Sequence, residues 1–489
     1  MADRTVLAVD LGAESGRVMA VHFDGRTMRL EELHRFPNTT TTINGTLYWD
    51  FLRLWRDIRA GIEKGRALQP AGIGVDTWGV DFGLLDDRGD LIANPVHYRD
   101  GRTAGMMSRA FAGVPRAEIF ARTGIQFLPI NTLYQLMSLV ESGSPQLRIA
   151  HTFLTAPDLL NYWLTGQKVC EYSNATTTQL LAAATGNWAT DIMARLGIPA
   201  HIFPAVVPPG TRLGTYEGIP VITPACHDTG SAVAAVPTRV EDFAYISSGT
   251  WSLVGLEIDR PILTPEALAA NVTNEGGVYG TVRLLKNVMG LWILQQCRAT
   301  WSAAGRSLSY GEIVDLAREA GSLASIFNPN SPVFLPPGDH PRRIAELCPL
   351  FDQPTPVTAG EIARSVLESL ALAYRETLEQ LASVSGRSVS VLHIVGGGGQ
   401  NELLNQMTAN ATGLPVIAGP TEATVIGNAL VQLIALGEIA DLGQAREIVA
   451  GMDELRRYEP RDKAIWDDAY HRYQTINELA TIELDSPAG

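Results

Sequence analysis

Short apolar runs alternate with longer amphipathic stretches along the chain. Residues 72–76 and 391–395 are compact apolar runs that predict buried strands, whereas residues 51–64 and 362–382 place apolar side chains at helical spacing. Strands that alternate with helices are typical of layered α/β domains. The pattern therefore predicts an α/β fold.

Residues 6–23 contain two apolar β-type runs around a turn of small residues, which predicts a β-hairpin. Gly12 and Gly16 allow a sharp turn whose backbone N–H groups can bind an anion. Asp10 ends the first run and can hold a hydrated Mg²⁺ beside phosphate groups. A plain hairpin with an exposed acidic loop fits this segment equally well.

A second segment, residues 244–256, repeats the order strand, Gly/Ser turn, strand. Aligning Gly249 with Gly12 gives an offset of 237 residues, close to half of the 489-residue chain. Such an offset predicts an internal repeat and two similar α/β halves, each with a phosphate-binding hairpin. In the second hairpin the binding groups would be Ser248, Gly249 and Thr250. Coincidence between two short hairpins is the alternative.

Residues 391–401 place four glycines between an apolar strand pattern and a predicted helix start. Consecutive glycines let a ligand lie against the main chain, and a helix N-terminus favours phosphate. Neither the G-x-G-x-x-G fingerprint nor a Walker A sequence is present. Nucleotide binding would therefore require an actin-like cleft.

Residues 224–230 contain the most informative acid of the chain, Asp228. It follows an apolar run at 219–222 and precedes a small-residue helix start. A carboxylate at a strand end is anchored on one side and open on the other, which suits a general base acting on a hydroxyl. Taken alone, this segment is better explained by an N-cap role for Asp228, because aspartate before a helix is a common cap.

Taken together, long strings in a fixed order resemble the FGGY family of carbohydrate kinases from Ala8 to about Glu459. The strings that carry this resemblance lie at residues 10–17, 76–82, 98–103, 124–136, 174–180, 227–229, 247–253, 273–277, 285–292 and 393–398. Glu14 is a departure, because the family pattern most similar to this chain has serine there. An acid beside phosphates would repel them unless it points outward or helps to hold the metal.

The resemblance implies two actin-like (ribonuclease H-like) domains that flank a catalytic cleft. They would span residues 1–240, for sugar and phosphate binding, and 241–489, for nucleotide binding. The implied reaction is ATP-dependent phosphorylation of L-rhamnulose, with Mg²⁺. L-Fuculose or a pentulose is an alternative acceptor, and a non-metabolic actin-like ATPase is a distant alternative function.

The resemblance also implies roles for individual residues, with Asp228 as the base. The sugar would contact Gly79, His227, Asp228, Thr229 and Asn287, with Asp76 and Gln126 as further candidates. Trp78, beside Gly79, would give the sugar an aromatic wall, whereas Trp49 is better explained as core. The residues implied for ATP are Ala13, Glu14, Ser15, Gly16, Arg17, Thr250, Gln295 and Gly397, and Asp10 is the implied metal ligand.

Composition agrees with this prediction. A chain of 489 residues is long enough for two domains, and 46% hydrophobic with 18% charged residues is ordinary for a globular enzyme. The net charge of −14 argues against nucleic acid and anionic membranes as partners. Four cysteines without paired spacing, and no signal or membrane-spanning pattern, predict reduced thiols and a cytoplasmic location. We expect a monomer or a weak homo-oligomer.

Overall fold

The computed structural model describes residues 4–452 and 454–485. These residues form two compact units. The first contains residues 4–239, 256–285 and 422–452, and the second contains residues 240–255, 286–421 and 454–485. The first break lies beside the predicted boundary at 240, but two later segments return to the first unit. The functional division into 1–240 and 241–489 stays a prediction.

Strands and helices alternate through the first half of the chain. Its strands are β1 (Arg4–Leu11), β2 (Ser15–Phe23), β3 (Met28–Pro37), β4 (Thr40–Ile43), β5 (Thr46–Trp49), β6 (Ile73–Thr77), β7 (Phe82–Leu85), β8 (Thr152–Thr155), β9 (Cys170–Glu171), β10 (Leu181–Ala182), β11 (Asn187–Trp188), β12 (Val206–Val207), β13 (Arg212–Tyr216) and β14 (Ile219–Ile222). Its helices are α1 (Phe51–Gly65), α2 (Met106–Gly113), α3 (Arg116–Thr123), α4 (Thr132–Glu141), α5 (Pro145–Ile149), α6 (Ala156–Thr165), α7 (Tyr172–Thr177), α8 (Thr190–Arg195) and α9 (Asp228–Ala234).

The main sheet of the first unit has the strand order β13-β14-β6-β1-β2-β3. The predicted hairpin is confirmed, since β1 and β2 pair antiparallel and Leu11 lies opposite Gly16 at the turn. Strand β6 runs parallel to β1 and places Asp76 opposite Asp10. The side chains of β1 from Val6 onward are buried, as expected of a central strand with cover on both faces.

The second half contributes the strands β15 (Phe243–Ser248), β16 (Trp251–Ile258), β17 (Thr273–Gly276), β18 (Val282–Met289), β19 (Val391–Val395), β20 (Val416–Ala418) and β21 (Arg456–Tyr458). Its helices are α10 (Pro265–Ala269), α11 (Trp292–Ala303), α12 (Tyr310–Glu319), α13 (His340–Leu347), α14 (Ala359–Ser385), α15 (Glu402–Thr412), α16 (Ala423–Leu436), α17 (Leu442–Ala450) and α18 (Lys463–Asp485).

These strands form a sheet with the order β17-β18-β16-β15-β19-β20-β21. Strands β15, β19 and β20 are parallel neighbours. The predicted strand, glycine segment and helix follow one another as β19, a 3₁₀ turn at Gly397–Gln400 and α15. The chain passes between the units within β16 and within β18, so that β17 belongs to the first unit.

Helix α16 supplies part of the core of the first unit, although it follows residues 240–255 and 286–421 of the second unit in sequence. Its buried Asn428 donates a hydrogen bond from Nδ2 to Asp76 Oδ2 at 2.6 Å. Its buried Gln432 donates from Nε2 to the Leu7 carbonyl at 3.0 Å. Two strands of the main sheet are therefore bonded to a helix that lies more than 350 residues away in sequence.

All four cysteines are free thiols with buried side chains. Burial raises the pKa of each thiol, to about 11 for Cys348 and well above the ordinary value for the other three. Among the residues that the structure describes, we find no helix with both the length and the apolar character that crossing a membrane requires.

Candidate active site

Asp228 is the first residue of α9, and His227 is the N-cap residue. A bridge between Thr77 and His227 ties this helix start to the end of β6. Asp228 Oδ1 accepts hydrogen bonds from the N–H of Thr229 at 2.5 Å and from its hydroxyl at 3.1 Å. The Asp228 side chain is 27% exposed, so a ligand can reach it. The N-cap explanation of Asp228 is wrong, because that position belongs to His227.

Three carboxylates of the first unit influence one another: Asp10, Asp76 and Asp228. Burial raises the pKa of Asp76 well above its ordinary value, and the charges of Asp10 and Asp228 add to this despite the hydrogen bond from Asn428. Burial also raises the pKa of Asp228; His227 opposes the shift and Asp10 strengthens it. Repulsion among the carboxylates of this acidic cluster contributes to both shifts, and a cation beside them would relieve it.

Arg17 supplies one positive charge to this cluster. Its Nη2 lies 2.6 Å from Asp10 Oδ2 and 2.7 Å from Glu422 Oε2. Although burial favours the neutral form, these two carboxylates raise the pKa of Arg17. Asp10, the predicted metal ligand, is thus buried and paired with a residue of the predicted phosphate loop.

The turn between β1 and β2 contains the other predicted phosphate-loop residues. Asn38 donates from its backbone N–H to the Glu14 carbonyl at 2.9 Å and from Nδ2 to the Gly12 carbonyl at 3.0 Å. Asn38 thus occupies two carbonyls of the turn and holds them in place. An anion can then bind to backbone N–H groups of the turn. The side chain of Glu14 is exposed, Ala13 and Ser15 are half-buried, and Gly16 is buried. Asn38 was not among the predicted site residues.

A buried ion pair supports His227. The guanidinium of Arg283, fully buried, lies 3.1 Å from His227 Nδ1 and 3.2 Å from Glu275 Oε2. Glu275 Oε2 also lies 3.1 Å from His227 Nδ1. Burial alone would raise the pKa of Glu275, but the contact with His227 and the charge of Arg283 outweigh it and lower that pKa. Sequence reasoning missed this pair, although an arginine within the apolar β18 is a visible signal.

The loop after β6 carries Gly79 and Trp78. Trp78 is 5% exposed and Trp49 is fully buried, and their ring centroids are 4.2 Å apart. Asp81 Oδ2 accepts both indole N–H groups, from Trp49 at 2.6 Å and from Trp78 at 2.9 Å. The core interpretation of Trp49 is confirmed. Little of the Trp78 ring is available as a wall, so the backbone at Gly79 is the more accessible part of this loop.

In the second unit, the turn between β15 and β16 brings several predicted nucleotide residues together. The carbonyls of Gly249 and Thr250 accept hydrogen bonds of 3.1 Å from the N–H groups of Leu291 and Trp292 at the start of α11. Gln295 lies one turn further along α11, and its N–H donates to the Leu291 carbonyl. The glycine segment containing the exposed Gly397 contacts the same turn through Ser248.

The predicted residues thus fall into two groups. In the first unit, Asp10, Arg17, Asp76, His227 and Asp228 share one set of contacts and charges. Asn287 lies on the part of β18 that belongs to the second unit, with Thr250, Gln295 and Gly397. Gln126 is 4% exposed, and its carbonyl accepts from Asn131.

Comparison with known proteins assigns the family. Residues 5–231 match the N-terminal domain, and residues 244–436 the C-terminal domain, of the FGGY family of carbohydrate kinases. The chain belongs to the FGGY family of carbohydrate kinases. It is an FGGY enzyme whose co-substrate is ATP, as predicted from the resemblance.

Two relatives of this FGGY kinase match it over nearly their whole length. The rhamnulokinase of Bacteroides thetaiotaomicron is 43% identical over 481 residues, which cover 96% of this chain and 98% of the relative. The rhamnulokinase of Yersinia pestis bv. Antiqua (strain Angola) is 44% identical over 485 residues, or 97% of this chain and 99% of the relative.

Solved structures agree on the fold. Xylulose kinase from Lactobacillus acidophilus superimposes with a TM-score of 0.78 over 98% of each chain, at 17% sequence identity. This likeness confirms the predicted α/β fold of the ribonuclease H-like type, with a sheet in each of two domains.

Proposed function

We propose that this FGGY kinase transfers the γ-phosphoryl group of ATP to the C1 hydroxyl of L-rhamnulose. The products are L-rhamnulose 1-phosphate and ADP. The identity of more than 40% to rhamnulokinases over nearly the whole chain supports the choice of sugar. The observation that carries the chemistry is Asp228, a partly exposed carboxylate at the start of α9.

Asp228 acts as the general base. It accepts the proton of the C1 hydroxyl while that oxygen forms a bond to the γ-phosphorus and the bond to the ADP oxygen breaks. The raised pKa of Asp228 makes it a stronger base than an ordinary aspartate, provided that the pH keeps it ionised. Gly79, His227, Thr229 and Asn287 orient the sugar.

The phosphates of ATP bind at the two turns, at residues 13–17 and at Thr250, and Gln295 and Gly397 contact the nucleotide. In the first turn, Arg17 offers a positive charge, and both turns have carbonyls already occupied by other residues. Phosphoryl transfer depends mainly on alignment and charge stabilisation, which these groups supply.

The acidic cluster also fits Mg²⁺. Carboxylate oxygens are the ligands that this hard cation prefers, and Mg²⁺ usually retains several waters. Within residues 4–452 and 454–485, no group of three or more acidic, histidine or cysteine side chains forms a ready-made metal site. Asp10 would hold the ion with water and phosphate oxygens. The bound ion would neutralise phosphate charge.

The remaining predictions are the absence of nucleic-acid and membrane partners, a monomeric or weakly associated state and a cytoplasmic location. The net charge of −14 supports the first of these.

A coupled assay of ADP release over a panel of ketoses tests the proposal. We expect ATP turnover to depend on added ketose, with kcat/KM highest for L-rhamnulose. A higher kcat/KM for L-fuculose or a pentulose would assign a sibling kinase instead. Turnover that does not respond to any ketose would favour an actin-like ATPase.

A further inference from the structure

Helix α7 and the residue before it have no role in the reaction as described so far. They nevertheless contact the backbone of both segments that carry the proposed sugar-binding residues, at 78–80 and at 226–227. The inference that follows rests on the proposed function, because it assigns a support to the base Asp228.

Glu171 is a fully buried carboxylate at the N-cap of α7. Three donors belong to α7 itself: the Ser173 N–H at 2.9 Å, the Ser173 hydroxyl at 2.6 Å and the Asn174 N–H at 3.2 Å. The fourth donor is the N–H of Cys226 at 3.0 Å, two residues before Asp228. A cap alone would not require this fourth bond.

The neighbours of Glu171 on α7 extend this attachment. Ser173 Oγ accepts a hydrogen bond from the N–H of His227 at 3.1 Å. Asn174 donates from Nδ2 to the carbonyls of Cys226 and of Trp78, both at 3.3 Å. The peptide groups on both sides of Cys226 are therefore bonded, one to Glu171 and the other to α7.

The loop that contains Gly79 is held from the same helix. Val80 has a φ of +67°, a conformation that β-branched residues rarely adopt and that the surroundings must enforce. Its N–H donates to Thr177 Oγ1 of α7 at 3.0 Å. Its carbonyl accepts from Thr132 Oγ1, at the start of α4, at 2.6 Å. Thr177 also lies against Gly79, where a Cβ atom would approach it to 3.0 Å.

Burial makes this arrangement rigid. A carboxylate removed from water must keep its hydrogen-bond donors, because losing a donor leaves a desolvated charge uncompensated. Burial raises the pKa of Glu171, and the donors from Ser173, Asn174 and Cys226 oppose this shift. A displacement of Cys226 would break one of these bonds, so the start of α9 is fixed in place.

We propose that Glu171 is a positioning residue for the catalytic base, Asp228. It acts by two routes: directly on the N–H of Cys226, and through Ser173 on the N–H of His227. Phosphoryl transfer is sensitive to such placement, since a misplacement of about 1 Å can lower the rate by about 100-fold. The residues that bind ATP phosphates lie on other segments, so their contribution to binding should remain.

The test is Glu171→Gln, which keeps the size of the side chain but replaces an accepting oxygen with a donor. We expect kcat to fall by about 10- to 100-fold while the KM for ATP changes by less than threefold. In hydrogen exchange followed by mass spectrometry, the amides of Cys226 and His227 should exchange faster, while those of β14 should not change. Exchange needs no substrate, so it reports on the attachment even if no ketose is phosphorylated.

Glu368→Gln is the matched control. Glu368 is also a buried glutamate, on α14 in the second unit, and it accepts from Ser322 Oγ at 3.1 Å and from the Leu323 N–H at 2.8 Å. It differs from Glu171 in pairing also with an arginine, Arg364, at 2.6 Å. This variant should lose stability without a loss of kcat. Equal losses of kcat in both variants would mean that Glu171 acts only through stability, and would overturn the proposal.

Ser173→Ala is the second variant, for the case in which Glu171→Gln does not fold. It removes the acceptor for the His227 N–H and the hydroxyl donor to Glu171, and it leaves the bond from Cys226 to Glu171. We expect a kcat lower by about three- to tenfold, because the more direct attachment through Cys226 remains, and faster exchange at His227. Wild-type kcat with unchanged exchange at residues 226–227, in whichever of the two variants folds, would contradict the proposal.

Discussion

The turn between β1 and β2 and the turn between β15 and β16 are built alike. In each of them, two carbonyl oxygens accept hydrogen bonds from a later part of the chain, from Asn38 in the first and from Leu291 and Trp292 in the second. They differ in length, because the first turn has three residues between its strands and the second has two. The two turns thus share a backbone arrangement although their sequences differ.

The larger difference is in charge. The first turn is flanked by Asp10 and Arg17, which pair at 2.6 Å, whereas residues 244–256 contain no charged side chain. The offset that aligns Gly249 with Gly12 places Ser247 at the position of Asp10. We therefore propose that the two turns have different roles: the first binds metal and charged groups, and the second offers neutral groups only.

The largest expected effect is at Asp228, in the charged region that also contains Asp10 and Arg17. Asp228→Asn should fold normally and lose about 10²- to 10⁴-fold in kcat, because it removes the base. No single change in the neutral turn should approach this loss. Steady-state kinetics, with a thermal melt to verify folding, measure it, and a variant that retains more than a third of wild-type turnover would contradict the assignment.

Asp10→Asn and Ser247→Ala compare the two turns directly. Removing the carboxylate of Asp10 should raise the half-saturating Mg²⁺ concentration by about 10- to 100-fold, as is typical when a metal site loses a contact. Ser247→Ala removes no charge and should change it by less than threefold. A Mg²⁺ titration of both variants at fixed ATP decides the matter; equal effects would remove the proposed division of roles.

The pH profile of ketose phosphorylation should reflect the ionisation of Asp228. Asp228 must be ionised to accept a proton, and burial raises its pKa. As the pH is lowered, activity should therefore begin to fall at a higher pH than it would with an ordinary aspartate as the base. Below that pKa, kcat/KM for the ketose should decrease by about tenfold per pH unit. Tryptophan fluorescence at each pH verifies folding. An acid limb at or below about pH 3.9, the ordinary value for aspartate, would disagree with this placement.

Two adjacent glycines beside the second turn, Gly397 and Gly398, test the proposed nucleotide contact. A Cβ atom on Gly398 would lie 2.0 Å from Ser248 Oγ, whereas one on Gly397 would meet no atom within 4 Å. Gly398→Ala should therefore lower the melting temperature. Gly397→Ala should leave it unchanged but raise the KM for ATP by about three- to tenfold, if the nucleotide lies against this residue. An unchanged KM in a folded Gly397→Ala variant would remove Gly397 from the proposed nucleotide site.

The smallest effect is expected at Glu14. Its side chain is exposed, so Glu14→Ser should change the KM for ATP by no more than about threefold. The same Mg²⁺ titration serves as the check. A tenfold rise in half-saturating Mg²⁺ would mean that Glu14 holds the metal together with Asp10.

Local patterns allowed much of the fold to be predicted. The hairpin of β1 and β2, helices α1 and α14 and the glycine segment after β19 each depend on neighbours in sequence, and all are present. Asp228 was selected because its string and its place after a strand are both visible in the sequence. Its role and those of the other site residues stay predictions.

Interactions between distant residues could not be predicted. Glu171 and Cys226 are separated by 55 residues, and Asp76 and Asn428 by 352. Nothing in the pattern of Glu171 distinguishes it from an exposed acid, because its burial results from tertiary packing. The return of residues 256–285 to the first unit was missed for the same reason.

The late position of α16 has a consequence for how the protein is made. During synthesis, β1 and β6 leave the ribosome long before Asn428 and Gln432 exist, so Asp76 and the Leu7 carbonyl have no partner from α16 in the nascent chain. The first unit can complete its core only after residues 240–255 and 286–421 of the second unit have been translated. Completion of this core is therefore coupled to the late part of translation, and a nascent chain stalled before α16 would lack the bonds to Asp76 and to the Leu7 carbonyl.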